Sequence, residues 1–114
     1  MRVTSAFWVA AFIRRCNAEG MPAVVMRRGA SEAGAIFVVA DRLDGTSDLY
    51  APAPQSEFHE GRPGDRLFQR VAERVAGETV SARLEKEKRF DPDFWVVAVE
   101  TRDGAVPLDR AAEE

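Results

Sequence analysis

Cysteine and histidine are almost missing from this chain of 114 residues, which has one of each. A single cysteine, Cys16, cannot form an internal disulfide, so the sequence favours a reducing compartment. A structural zinc site takes about four ligands, mostly cysteine and histidine, which excludes the zinc-stabilised folds. The one histidine, His59, has no evident serine or cysteine nucleophile to activate, and we expect it to be a solvated loop residue.

Apolar runs long enough to cross a membrane are also missing. Residues 6–13 form an apolar run of eight residues, which is far below the ~20 that a spanning helix requires. Arg14 and Arg15 follow directly, without the small-residue cleavage site of a signal peptide. We therefore expect a cytoplasmic protein that does not contact a membrane.

Positive charge is not in excess. The chain has 16 lysine and arginine residues against 19 aspartate and glutamate residues, a net charge of −3. Broad nucleic-acid binding depends on a basic surface, so this charge argues against it and leaves only a local basic patch open. Motifs for phosphate-binding loops, zinc proteases and nucleophile elbows do not occur in the sequence. The length suits one domain over residues 1–114.

Apolar periodicity and end signals predict two helices. The first covers residues 5–19, with apolar residues at helical spacing and Gly20 as a stop signal. The second covers residues 79–89, with Thr79 as a potential cap. The segment 66–76 fits either a helix or a strand, and the sequence pattern does not decide between them.

The remaining apolar segments predict strands. Residues 22–52 are expected to form a three-stranded antiparallel meander, with a tight turn at Asp44 and Gly45. Residues 94–102 form a further strand. The segments 35–43 and 94–102 are apolar at successive positions, which indicates central strands covered on both faces. The predicted fold is a small single α+β domain with a mainly antiparallel sheet.

Self-association follows from this prediction as an expectation. Two or three short helices can cover one face of such a sheet and leave the other face bare. A bare apolar face would pack against a second copy of the chain, so we expect a homodimer.

Arginines form most of the candidate binding set. Each candidate arginine is expected near the end of a helix or strand, so several could converge on a carboxylate or phosphate ligand. The alternative is separate surface charges that pair with neighbouring glutamates. The candidate binding residues are Arg14, Arg15, Arg27, Arg28, Arg89 and Tyr50.

Three aspartates form a candidate metal site. Asp91 and Asp93 bracket a proline, and Asp41 lies late in the first predicted central strand. Carboxylate oxygens are suitable ligands for Mg²⁺, and such a site could hydrolyse a phosphoester or nucleic acid. Aspartate before proline is also a common turn device, so a role in turns and caps is the alternative.

Several stretches of the sequence together resemble the DUF1491 family, short alphaproteobacterial proteins without an assigned function. The most specific stretch is Arg-Phe-Asp-Pro-Asp-Phe-Trp-Val-Val at residues 89–97. The others are residues 4–9, 13–15, 27–29, 32–38, 49–50, 52–55 and 83–85. The resemblance covers nearly the whole chain. It implies a bacterial cytoplasmic protein of uncharacterised role, and it implies no catalytic residue and no cofactor.

These observations favour a non-enzymatic interaction or regulatory module that binds an as yet unknown protein partner and forms a homodimer. The first alternative is a Mg²⁺-dependent hydrolase that uses the three aspartates. The second is a small-anion-binding module that uses the arginines.

Overall fold

The computed structural model describes residues 3–54 and 66–111, which form a sheet with one helix packed on each face. The helices are α1 (Ser5–Ala18) and α2 (Gly77–Glu87). The strands are β1 (Ala23–Arg27), β2 (Ile36–Asp41), β3 (Thr46–Pro52), β4 (Phe68–Ala76) and β5 (Trp95–Glu100). The predicted α+β class is confirmed. No helix in the described ranges is long and apolar enough to span a bilayer.

Helix α1 begins at a side-chain cap. The hydroxyl oxygen of Thr4 accepts a hydrogen bond from the backbone N–H of Phe7 at 3.1 Å, which satisfies one of the unpaired donors in the first turn. The face that packs on the sheet carries Val9, Phe12 and Cys16, which are buried. The helix predicted over residues 5–19 is confirmed, and it ends one residue earlier.

The ambiguous segment 66–76 forms a strand. Strand β4 pairs with β3 in antiparallel register from Thr46↔Ala76 to Pro52↔Phe68. Two register shifts interrupt this pairing, and they disturb the alternation of apolar and polar residues that would have identified a strand from the sequence. Helix α2 begins directly after β4, so it lies two residues earlier than the predicted range 79–89.

The predicted meander over residues 22–52 is wrong at its first connection. The strand order is β1-β5-β2-β3-β4, so β5 lies between β1 and β2. Strand β5 pairs with β1 in antiparallel and with β2 in parallel orientation. The physical reason is burial, because β2 and β5 are both apolar on two faces and both need an inner position. The hairpin between β2 and β3 is confirmed.

Each helix covers one face of the sheet. Helix α1 packs on the face that carries Ile36, Val38, Trp95, Val97 and Val99. Helix α2 packs through Val80 and Leu84 on the opposite face, against Phe37, Leu49, Ala51 and Val96. The sheet therefore has no wholly bare face, contrary to the premise from which a homodimer was expected. The exposed apolar residues of the sheet lie on β1 instead.

Candidate functional site

The arginines of α1 lie on its exposed side. Arg14 and Arg15 are both exposed, and the guanidinium Nε of Arg15 bonds the carboxylate of Glu19 at 3.0 Å. This half of α1 lies near the start of β1, because the side chain of Asn17 accepts a hydrogen bond from the backbone N–H of Ala23. The two arginines therefore lie at the opposite end of β1 from Arg27 and Arg28.

Arg27 and Arg28 lie on opposite faces of the sheet. The guanidinium of Arg27 is 4.7 Å from the centre of the Phe94 ring and donates a hydrogen bond to the carbonyl of Pro92. The guanidinium of Arg28 is 5.2 Å from the centre of the Trp95 ring. The Phe94 ring belongs to the core under α2 and the Trp95 ring to the core under α1. The two neighbouring arginines therefore cannot bind the same small anion.

The last two candidate binding residues are also apart. Arg89 is exposed just beyond α2 and lines a shallow depression of 470 Å³ with Lys86 and Lys88. Tyr50 is only 2% exposed, and its hydroxyl oxygen is 3.5 Å from the carbonyl oxygen of Gly104. The structure does not gather the candidate arginines and Tyr50 into one site.

The three candidate metal ligands lie at two ends of the sheet. Strands β2 and β5 are parallel, with Ile36 opposite Trp95 at one end and Asp41 opposite Glu100 at the other. Asp91 and Asp93 precede β5, so the length of a strand, about 16 Å for five residues, separates them from Asp41. Among residues 3–54 and 66–111, no group of three or more histidine, cysteine and acidic residues could hold a metal ion.

Two of these aspartates stabilise turns. A carboxylate oxygen of Asp41 accepts a hydrogen bond from the backbone N–H of Leu43 at 2.9 Å. A carboxylate oxygen of Asp91 accepts one from the backbone N–H of Asp93 at 3.0 Å. These contacts match the alternative role in turns that aspartate commonly plays.

The cysteine is a core residue. Cys16 is fully buried against the sheet. Burial raises the pKa of its thiol to about 11, with a smaller increase from the charge of Glu19 and an opposing effect of Arg15. Because the thiolate is the reactive form, this side chain is not suited to nucleophilic chemistry at neutral pH.

A buried ion pair was not predicted from the sequence. Two nitrogens of the Arg42 guanidinium donate to the two carboxylate oxygens of Asp48 at 3.0 and 2.7 Å, and both side chains are buried. Asp48 also accepts a hydrogen bond from the backbone N–H of Arg74 at 2.8 Å. A charge of each sign flanking a predicted hairpin is the only sequence signal that could have suggested this pair. Because both charged side chains are buried, we assign the Arg42–Asp48 ion pair a structural role.

The open edge of the sheet was also missed. Strand β1 has β5 on one side and no described strand on the other. Its side chains include a run of three exposed apolar residues, Val24 (54% exposed), Val25 (36%) and Met26 (67%). We call these three residues the edge surface. The sequence does not reveal it, because the exposure of Val24, Val25 and Met26 depends on which strands and helices pack around β1.

Backbone groups of the edge surface face outward. The N–H of Glu100 donates to the carbonyl of Pro22 at 2.9 Å. Because hydrogen-bonded pairs alternate along an antiparallel ladder, Val24 then bonds β5, whereas the N–H and C=O of Val25 face away from it. A β-bulge follows between Val25 and Arg27. Because of this bulge, Arg27 pairs with Val96, and its side chain lies on the same face of the sheet as that of Val24.

Opposite charges lie at the two ends of the edge surface. Arg27 and Arg28 follow it. At its other end, Glu19 is exposed after α1, and Glu100 is exposed at the level of Pro22. Within the described part of the chain, neither Arg28 nor Glu100 forms an ion pair. This end of the edge surface also borders an open depression of 650 Å³.

The fold and these surfaces define a small α+β protein with a five-stranded mixed sheet and one open apolar edge. The family described as "Protein of unknown function (DUF1491)" matches residues 3–109, and the chain belongs to this family. The predicted resemblance is therefore confirmed. No protein with curated function matches the chain.

Solved structures of similar proteins have the same fold. The solution structure of protein Atu0922 from A. tumefaciens is 41% identical, with a TM-score of 0.84 over 100% of this chain and 98% of that one. A crystal structure of a DUF1491 family protein from Caulobacter crescentus is 35% identical, with a TM-score of 0.78 over 100% of both chains. An NMR structure of a DUF1491 family protein from the same organism gives the same identity and TM-score, over 100% of this chain and 99% of that one.

Proposed function

We propose that this protein is a non-enzymatic interaction module that binds a protein partner along the edge of β1. The observation that carries the proposal is the edge surface, where Val24, Val25 and Met26 are exposed in succession on a strand with outward-facing backbone groups. Single exposed apolar residues are ordinary, whereas a contiguous apolar edge is a template for another chain.

The mode of binding follows from the strand. An added strand would bond the N–H and C=O of Val25, while its side chains cover Val24 and Met26. Full burial of an exposed valine or methionine side chain contributes about 1.5–3 kcal/mol each. Proteins commonly blunt a free edge with lysine, proline or a β-bulge; residues 23–26 contain neither lysine nor proline, and the bulge of β1 lies after Val25.

The residues considered for catalysis support the non-enzymatic part of the proposal. Two of the three candidate aspartates, Asp41 and Asp91, stabilise turns. Cys16 is buried with a raised thiol pKa. These side chains stabilise the fold, and a role in protein binding does not require any other function from them.

We also propose that the protein works in the cytoplasm of a bacterium. Cys16 is a free, buried thiol. A small domain held together by a packed core, without a disulfide, suits a reducing compartment.

Site-specific photo-crosslinking in bacterial cells tests the proposed function. A photoreactive amino acid in place of Met26 is expected to form protein adducts, whereas the same group in place of Phe7, exposed on α1, is not. The Val25→Pro substitution should abolish the adducts, because it removes an outward-facing N–H without removing a donor to β5. An absence of adducts at position 26, or adducts that survive Val25→Pro in a folded variant, would overturn the proposal.

A further inference from the structure

We infer that the partner at the β1 edge is a second copy of this chain, paired in antiparallel orientation about Val25. The inference rests on the proposed function, because it uses the same edge surface. It differs from the expectation drawn from the sequence, since the contact is made by the strand edge and not by a bare sheet face.

The backbone of β1 suits a two-fold contact. Val25 is the residue in the middle of the edge surface, and both of its backbone groups face outward. An antiparallel ladder contains pairs of residues that exchange both N–H···O=C bonds. Val25 can form such a pair with Val25 of a second copy, which places a two-fold axis at this residue and makes the contact self-complementary.

The charges lie symmetrically about this axis. Pro22 is three residues before Val25, and Arg28 is three residues after it. The two-fold axis therefore brings Arg28 of one copy level with Pro22 of the other. Glu100 is held at Pro22 by a backbone hydrogen bond, and Glu19 lies three residues before Pro22. Arg27 and Arg28 of each copy then lie toward Glu100 and the Glu19–Arg15 ion pair of the other, twice in one dimer.

The faces of the sheet agree with this pairing. Arg27 lies on the α2 face with Val24, and Glu100 is on that face because it alternates with Val96 and Ala98. Arg28 lies on the α1 face over Trp95, and Glu19 follows α1 itself. A two-fold axis perpendicular to the sheet keeps each face on its own side. Opposite charges are thus matched on both faces, an arrangement that an unrelated partner does not require.

Charge reversal followed by mixing tests the inference on the full chain. Sedimentation velocity on the wild type is expected to show a dimer that weakens as salt screens the charges. The Arg28→Glu variant and the Glu19→Arg variant each place like charges together at both ends of the contact. Each should weaken dimerisation by roughly tenfold or more. An equimolar mixture of the two should dimerise like the wild type, because the mixed dimer has opposite charges at both ends.

Two controls separate this contact from other effects. Val25→Pro should give a monomer with unchanged circular dichroism, and Phe7→Lys, at an exposed apolar position on α1, should leave the dimer intact. A monomeric wild type, a dimer insensitive to Val25→Pro, or a mixture that does not recover would overturn the inference. If the wild type is monomeric while Met26 crosslinks to a different protein, the inference fails and the proposed function stands.

Discussion

Asp48 connects three segments of chain through one carboxylate. It receives two hydrogen bonds from Arg42 at the end of β2 and one from the backbone of Arg74, whose φ of 53° lies in the left-handed region. Gly104 closes the site, and a Cβ atom there would lie 2.5 Å from a guanidinium nitrogen of Arg42. The hairpin and the bulged part of β4 therefore depend on a single buried charge pair.

Replacement of Asp48 should be strongly destabilising. Asp48→Asn keeps the shape of the side chain but leaves the guanidinium of Arg42 buried without a counter-charge. The free energy of unfolding, measured by urea denaturation at neutral pH, should fall by about 3–5 kcal/mol. Asp44→Asn provides the matched control, because Asp44 is exposed at the hairpin and its carboxylate bonds Thr46, so the loss should be much smaller. Equal losses in the two variants would contradict the role of the pair.

The stability that the Arg42–Asp48 pair contributes depends on pH, because Asp48 titrates. Burial raises the pKa of Asp48, but the hydrogen bonds from Arg42 and Arg74 outweigh it, so the pKa lies below its ordinary value. A lowered pKa in the folded state adds stability above the ordinary aspartate pKa of about 3.9, and this stability is lost as the pH falls through the folded value. The difference in unfolding free energy between wild type and Asp48→Asn should therefore shrink below pH ~4.

At the scale of elements, the loop between β1 and β2 is fixed by close backbone contact with the turn before β5. The N–H of Ala30 donates to the carbonyl of Asp93 at 2.9 Å, and the indole N–H of Trp95 donates to the carbonyl of Ala30 at 2.8 Å. On the other side, the Ser5 hydroxyl donates to the carbonyl of Gly34 at 2.6 Å. The loop thus joins the start of α1 to the start of β5.

At Gly29, the contact between the β1–β2 loop and the turn before β5 leaves no space for a side chain. A Cβ atom at position 29 would lie 2.4 Å from the carbonyl oxygen of Asp93 and 2.7 Å from the Trp95 ring. Gly29→Ala should therefore lower the free energy of unfolding by about 1–3 kcal/mol, because the backbone must shift. Gly77→Ala, at the open first position of α2, should instead be neutral or stabilising by up to about 1 kcal/mol. Thermal denaturation of the two variants compares them, and a tolerated Gly29→Ala would contradict the packing described.

Local patterns in the sequence were enough for the elements they govern. The helical spacing of α1, the Asp44–Gly45 turn and the consecutive apolar residues of β2 and β5 all predicted structure correctly. The position of β5 between β1 and β2 depends on pairing between distant segments, which no local pattern contains. The exposure of the edge surface depends on what packs around β1, which also involves distant segments, so neither could be derived from the sequence. The candidate aspartates are separated because β2 and β5 run parallel, and Arg27 and Arg28 are separated because they lie on opposite faces of the sheet.

At the scale of the whole molecule, β2 and β5 hold the chain together. Strand β5 is the last strand in the sequence but bonds β1 near the N-terminus and β2 in the first half of the chain. Both strands have a neighbour on each side and a packed helix layer on each face. Formation of the sheet therefore requires nearly the complete chain, which predicts cooperative unfolding and slow folding.

Native-state hydrogen exchange should reveal this organisation. The amides of β2 and β5 are expected to exchange only by global unfolding, because neither strand can open before its neighbours have left. Outer strands β1 and β4 can detach while the centre survives, so their amides should exchange through smaller openings, and the outward-facing N–H of Val25 should exchange fastest within β1 in the monomer. Dilute Arg28→Glu protein, in which dimerisation is weakened and the N–H of Val25 is kept, supplies the monomer for comparison. Protection of β1 equal to that of β5 in the monomer, or loss of protection in β5 before β3, would show that the last strand does not lie at the centre of the cooperative unit.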